Sequence, residues 1–301
     1  MHILLCSLLL GGASCQRPDR VVAVTVDDLP AVSVSSDWKA ATGRLLANLR
    51  AHNVPAIGFV NEGKLYQGSV LDSNRVALLS EWLEAGHELG NHTFAHRGAH
   101  QTPLAEYLDG IARGEVVTRE LSRRSGRAYR YFRHPQLHAG RTLEYRRAVE
   151  RYLTDHGYVI APVTVDNQEW VYARAYVNAK ERGDTALMQR VVRFYFRHLD
   201  SAFAYSEGLS RTLFGREIPL VLLLHANELN ADHLGTVLSR LEARGYRFAK
   251  LEQVLADTAY RARDMYVGPS GMSWLIRWAE TRGIAIPGEP REEQWVNELA
   301  R

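Results

Sequence analysis

Short apolar runs recur along this chain, and several of them stop on an ionisable residue. Val21 to Val26 is almost wholly apolar and runs into Asp27-Asp28. His87 to His92 ends on His92, Tyr129 to Arg133 on Arg133, Tyr158 to Val165 just before Asp166, and Ile218 to Leu224 just before His225. Pro55 to Val60 and Tyr246 to Ala249 are further short runs. A run without polar alternation suits a strand buried on both faces. Between the runs lie helical patterns: Trp38 to His52, Asp72 to Ala85, Leu104 to Arg124, Leu143 to His156 and Ala231 to Ala243. Asp72 or Ser73 is a suitable N-cap for the second, and Gly86, Gly157 and Gly245 follow helix ends. Such a βα series implies an α/β fold with a parallel sheet or barrel. Val171 to Leu213 reads as a long helical stretch broken near Gly183 and Gly208. The tail after Arg263 is rich in Gly and Pro, with an amphipathic segment around Trp274, Leu275 and Trp278. It is expected to pack on the barrel as an appendage.

Composition removes several function classes. Hydrophobic residues are 46% and charged residues 24% of 301, so wholesale disorder is excluded. The net charge is only +3, and the densest basic clusters are pairs such as Arg123-Arg124 and Arg146-Arg147. A nucleic-acid binder calls for a denser patch, so nucleic acid is not an expected partner. The only cysteines are Cys6 and Cys15, which excludes disulfide frameworks and cysteine-based zinc fingers.

Both cysteines lie in the N-terminal segment. Ile3 to Ala13 is an apolar run too short to span a bilayer but suited to the h-region of a secretory signal. Gly12-Ala13-Ser14-Cys15 resembles a bacterial lipobox, with Gly12 where leucine is usual. The expectation is a signal peptide over 1–14, with Cys15 as a lipid-bearing first mature residue. The protein would then be exported to the periplasm or cell envelope, and a lipid on Cys15 would be its only contact with a membrane.

The ionisable residues at strand ends fall where parallel α/β folds build their sites. Asp27 and Asp28 are adjacent carboxylates, which repel each other when buried, and a divalent cation would relieve that. His92 and His96 stand four apart, and on a helical turn they would share a face. Two imidazoles and a carboxylate make a metal site with open positions; the alternative is two histidines that cap the chain and face solvent. His225 is either a proton donor at the barrel mouth or a core histidine. Arg133, just before His134-Pro135, is either a clamp on a carboxylate or an ordinary ion-pair partner.

Five short motifs in order resemble the polysaccharide deacetylase family, the NodB-homology or carbohydrate esterase family 4 proteins. They are Thr25-Val26-Asp27-Asp28-Leu29-Pro30, Asn91-His92-Thr93-Phe94-Ala95-His96, Phe132-Arg133-His134-Pro135-Gln136, Asp166-Asn167-Gln168-Glu169-Trp170 and Leu222-Leu223-Leu224-His225. The resemblance covers 20–257, leaving 258–301 as the appendage. It implies a distorted (β/α) barrel with fewer than eight regular strands, here with a long helical insertion. It implies a divalent metal held by Asp28, His92 and His96. Zinc is usual in the family, and cobalt, nickel or iron also suit these donors. It implies Asp27 as general base, His225 as general acid, Arg133 orienting Asp27 and Glu169 holding His225. Gln136 would offer a backbone N–H to the oxyanion, and Trp170 and Leu223 would wall the acyl methyl.

The implied activity is metal-dependent removal of acetyl groups from N-acetylated glycans. Leu29 and Leu137 stand where the family has glycine, and Glu169 where it has aspartate. These departures, and the long segment from Val171 to Gly215 expected to overhang the site, keep a small non-saccharide amide open as substrate. A catalytically silent glycan-binding lipoprotein is the alternative from another class.

Overall fold

A computed structural model describes residues 20–32 and 37–301. The expected signal peptide and Cys15 lie outside the described residues. The strands are β1 Arg20–Leu29, β2 Ile57–Val60, β3 Tyr66–Gln67, β4 Val70–Leu71, β5 Glu88–Asn91, β6 Tyr131–Phe132, β7 Val159–Ile160, β8 Leu220–His225 and β9 Tyr246–Phe248. The helices are α1 Trp38–Ala51, α2 Ser73–Glu84, α3 Leu104–Arg113, α4 Val116–Arg124, α5 Leu143–Asp155, α6 Glu169–Glu181, α7 Thr185–Phe214, α8 Glu228–Ala243, α9 Leu251–Leu255, α10 Trp274–Arg282 and α11 Gln294–Leu299.

The main sheet runs β7-β6-β5-β2-β1-β8, and β9 pairs with the start of β1. Every pairing in it is parallel. The sheet curls into an irregular barrel that is closed by backbone beyond β7. There Thr164 and Val165 donate to Val221 O at 3.0 Å each, and Leu223 N donates to Val165 O at 3.1 Å. Of the strand expected over Tyr158 to Val165, only Val159–Ile160 pairs as regular β. The rest crosses from β6 to β8, which a straight strand could not do.

Period-two geometry decides which side chains face inward. Val21 and Ala23 of β1 join Ile57, Phe59, Tyr131, Ala161 and Val221 in the barrel interior. Val22, Val24 and Val26 face the helices in the larger outer core. Continuing the inward series from Val21 and Ala23 gives Thr25 and then Asp27. On β8 the same series from Val221 gives Leu223 and His225. Because Asp27 is in register with His225, the two polar ends meet at one mouth of the barrel.

Two helical expectations change. Leu104 to Arg124 is two helices, parted at Gly114. A Cβ on Gly114 would lie 2.7 Å from the Thr93 carbonyl carbon and 2.9 Å from Phe94 N. The chain bends there because the helix pair closes directly onto the loop carrying His92 and His96. The long stretch does part at Gly183, whose φ is +68°. It does not part at Gly208, which sits inside the thirty-residue α7. Buried Tyr195, Leu199, Phe203, Leu209 and Leu213 fix α7 along its length, so packing overrides one glycine's low propensity.

The tail packs through α10, where Trp278 is 1% exposed and meets Phe214 of α7 with ring centroids 5.5 Å apart. It continues to α11, absent from the sequence expectation, which lies against α6. There Tyr172 OH donates to Glu293 at 2.9 Å and Asn178 Nδ2 to Leu299 O at 2.7 Å. Among the described residues, no helix is long and apolar enough to cross a membrane.

Candidate active site

Asp27 is the last inward residue of β1 and is 2% exposed. Arg133 Nη1 donates to both its oxygens, at 3.2 and 3.3 Å. The guanidinium is itself fixed: Nε donates to Ala161 O at 2.8 Å and Nη2 to Thr25 Oγ1 at 3.0 Å. Its carbon sits 4.6 Å from the centre of the Phe59 ring. Of the two readings of Arg133, the clamp is what the geometry contains. Burial pushes the Asp27 carboxyl up to about 6, against the opposing pull of Arg133 and His225.

Asp28 turns out of the strand with a left-handed φ of 71°. That turn aims the Asp28 carboxylate at the histidines, while Asp27, held by Arg133, keeps its Oδ2 3.6 Å from His92 Nε2. Its Oδ1 lies 3.6 Å from His96 Nε2 and 3.4 Å from Lys64 Nζ. Burial opposes its charge, yet Lys64 and the nearby imidazoles hold its carboxyl well below the usual range.

His92 follows β5, and the stretch to His96 is a loop, not the helical turn expected from the spacing. Thr93 and His96 both have positive φ, 64° and 54°. The two imidazole rings converge, with centroids 4.9 Å apart, through this kinked backbone and not through helical periodicity. Asn91 pins the loop: its Nδ2 donates to Ile111 O and Tyr158 OH, and its Oδ1 accepts from Thr93 N. His92 Nδ1 lies 2.8 Å from Arg133 O, so it carries the proton and leaves the Nε2 lone pair facing the site. Burial lowers the pKa of both imidazoles, which keeps them neutral as metal ligands must be.

Asp28, His92 and His96 each offer one donor atom, all within 4.8 Å of one another. Beyond its ion pair with Lys64, Asp28 Oδ1 is buried with no hydrogen-bond partner. An unsatisfied carboxylate oxygen facing two neutral imidazoles is a donor set that fits a divalent cation.

His225 stands across the mouth. Its Nδ1 lies 2.8 Å from Glu169 Oε2. Glu169 is 2% exposed and also accepts from the side-chain amides of Asn227 and Asn230. Burial works against the imidazolium, but the charge and hydrogen bond of Glu169, with the charges of Asp28 and Asp27, together outweigh it and raise the His225 pKa to about 9. Lys64, Asn227 and Asn230 escaped the sequence reading. Asn227-x-x-Asn230 directly after His225 was the available signal for the amides.

Asp27, Asp28, His92, His96, His225 and Asn227 line a cavity of about 640 Å³. Gln136, Leu137, Trp170 and Leu223 also line it. Gln136 has φ 57°, and Gly271 of the tail lies so close that a Cβ there would be 1.8 Å from Gln136 O. Of the segment from Val171 to Gly215 expected to overhang the site, α6 walls the cavity with Ala173 and Val177 beside Trp170, while no residue of α7 lines it. Leu29 does not line the cavity; it packs over Gly58 in the outer core.

Residues 15–161 match the family model described as Polysaccharide deacetylase. Over this segment, just under half of the chain, the protein is similar to the polysaccharide deacetylase family. The family segment contains Asp27, Asp28, His92, His96 and Arg133. Glu169 and His225 lie beyond it and are brought to the same mouth by α6 and β8. No curated protein matches the chain.

Solved structures share the fold. A mutant of the peptidoglycan deacetylase PdaC from Bacillus subtilis aligns with TM-score 0.51 at 19% identity, over 81% of this chain and 94% of its own. A CE4 family pseudoenzyme from Bacillus anthracis aligns with TM-score 0.51 at 16% identity, over 79% of this chain and 66% of its own. A family 4 acetyl xylan esterase from Clostridium thermocellum, in complex with a cobalt ion, aligns with TM-score 0.50 at 19% identity, over 79% and 91%. The α/β barrel is therefore that of the CE4 deacetylases.

Proposed function

We propose that the protein is a metal-dependent hydrolase that removes acetyl groups from N-acetylated sugars. The observation that carries this reading is the facing pair of Asp27 and His225, in register on β1 and β8, beside the Asp28–His92–His96 donor set. Asp28, His92 and His96 would hold the metal, zinc first and cobalt, nickel or iron as alternatives. When bound, a divalent ion there supplies Lewis acidity to the amide carbonyl and to water.

The chain's own residues do the rest. Asp27, buried and poised near neutrality, takes the proton of the attacking water. Arg133 keeps the acceptor oxygens of Asp27 aimed at the mouth. The backbone N–H of Gln136 donates to the oxyanion, an interaction worth roughly 3 kcal/mol. His225 enters protonated through Glu169 and gives its Nε2 proton to the leaving nitrogen. The C–N bond breaks, and the products are acetate and a free amine. Trp170 and Leu223 form the apolar wall for the acyl methyl.

The test is acetate release from N-acetylglucosamine oligomers by the protein loaded with one defined metal. Asp27→Asn is expected to fold, bind metal and lose nearly all turnover. Turnover at the wild-type rate in that variant rules out Asp27 as the base. A second reading, a small non-saccharide amide as substrate, is favoured by the apolar α6 wall of Trp170, Ala173 and Val177. Faster release of acetate from apolar N-acetyl amines than from any sugar oligomer would select it. Glycan binding without acetate release under every metal would select the silent alternative.

A further inference from the structure

A tight turn between β2 and β3 ties together the two loops that carry the donor set. Asn61 N donates to Leu29 O at 3.1 Å, on the Asp28 side. Asn61 Nδ2 donates to His92 O at 2.8 Å, on the histidine side. Glu62 N and Gly63 N then donate to Thr93 O and Phe94 O, at 3.3 and 2.8 Å. A Cβ on Gly63 would lie 2.5 Å from Phe94 O, so only glycine fits this approach. The turn is anchored from behind. Buried Glu62 accepts from Val117 N, Thr118 N and Thr118 Oγ1 at 2.7, 3.0 and 2.8 Å, at the start of α4. Arg75 Nη1 donates to Lys64 O at 2.9 Å.

This frame delivers one side chain, Lys64. Its Nζ donates to Asp28 O at 3.1 Å and lies 3.4 Å from Asp28 Oδ1. The ammonium thus grips the backbone and the carboxylate of the same residue. Its side chain is 19% exposed, and it does not line the cavity. It is therefore placed to act on Asp28 and not on substrate.

We propose that Lys64 is a positioning residue that serves as the built-in counter-cation of Asp28, fixing the ligand carboxylate in place before the metal arrives, at a cost in metal affinity. The affinity part rests on the metal reading of the preceding subsection. The physical argument has two sides. A buried carboxylate without a positive partner is strongly unfavourable, so an ammonium beside it stabilises the metal-free protein. The same fixed charge repels a divalent ion that approaches the same carboxylate. Lys64 therefore trades tight binding for a preformed site.

The experiment compares wild type with Lys64→Met and Lys64→Gln, the second keeping a hydrogen-bond donor without the charge. Metal-free proteins are melted, and Co²⁺ is titrated in by its visible d–d absorption, with Zn²⁺ in competition. Both variants are expected to melt lower than wild type when metal-free, by about 3 °C or more. Both are expected to bind Co²⁺ at least tenfold tighter, with the d–d band unchanged because the ligands are unchanged. A variant that folds only with Co²⁺ present also supports the proposal. Unchanged or weaker Co²⁺ binding in both variants overturns it, as does an unchanged metal-free melting temperature. If wild type binds neither ion but the variants melt lower, the metal reading falls and the counter-cation role of Lys64 stands.

Discussion

Glu169 Oε2 lies 2.8 Å from His225 Nδ1, and the two come from different ends of one α/β crossover, the start of α6 and the end of β8. The pair sets a proton's position as well as its affinity. Nδ1–H points at the carboxylate, so Nε2 is the nitrogen that faces the cavity. The folded pKa of His225 is about 9, above its ordinary 6.5. Its stabilising charge is thus fully present below pH 6.5 and is lost as pH rises through 9. In Glu169→Gln the principal raising charge is gone. The alkaline limb of the acetate-release profile is expected to move down by about two pH units, with kcat at pH 8 falling roughly tenfold. An alkaline limb at the wild-type pH in that variant would falsify the coupling.

Arg133 is fully buried, and its guanidinium makes its hydrogen bonds within the site, to Asp27, Ala161 and Thr25. Arg133→Met removes the partner of a carboxylate that is 2% exposed. Breaking a buried pair from one side costs about 3–5 kcal/mol. Chemical denaturation should report a loss of that order. The loss should shrink in the Arg133→Met, Asp27→Asn double variant, because the stranded charge is then absent.

Much of the fold could be read from β1 alone. Its almost unbroken apolar character implied burial on both faces and a strand that ends on Asp27-Asp28, while which face carries Asp27 was set by the tertiary structure. The strand-end positions of Arg133 and His225 followed from the same logic. The relationship of His92 to His96 was legible only as proximity. A spacing of four suits a helix, but here positive φ at Thr93 and His96 brings the rings together, and φ leaves no periodic trace in sequence. Lys64 was invisible because its role depends on a turn docking two distant loops. Nothing local distinguishes Lys64 from a solvated lysine. The closure at Val165 and the continuity of α7 past Gly208 likewise depend on tertiary contacts that override local preference.

Two glycines offer a matched contrast. Gly114 has Thr93 and Phe94 backbone atoms where a Cβ would stand, at 2.7 and 2.9 Å. Backbone cannot swing aside as a side chain can, so Gly114→Ala must push the histidine loop. A loss of about 1–3 kcal/mol is expected, with weaker Co²⁺ binding. Gly208 lies inside α7, and a Cβ added there would have nothing within 4 Å. Gly208→Ala should stabilise by about 0.5–1 kcal/mol through helix propensity and leave metal binding unchanged. Urea denaturation and a cobalt titration on both variants check the pair.

His87 links stability to acid conditions away from the active site. Its ring is 5% exposed, meets Trp82 with centroids 5.5 Å apart, and accepts from Ala56 N at Nδ1 over 3.3 Å. That acceptor role requires a neutral ring. Burial, with the charges of Arg127 and Arg50, lowers its pKa to about 4, while the unfolded chain restores 6.5. Below pH 6.5 the unfolded state therefore binds the extra proton, and stability falls as pH drops towards 4. The full shift corresponds to about 3 kcal/mol, and partial water access reduces it to about 2. Urea midpoints at pH 7 and pH 4.5 should differ less in His87→Gln than in wild type, because glutamine keeps an acceptor for Ala56 N and cannot titrate. Equal acid sensitivity in the two proteins would assign the loss to other groups.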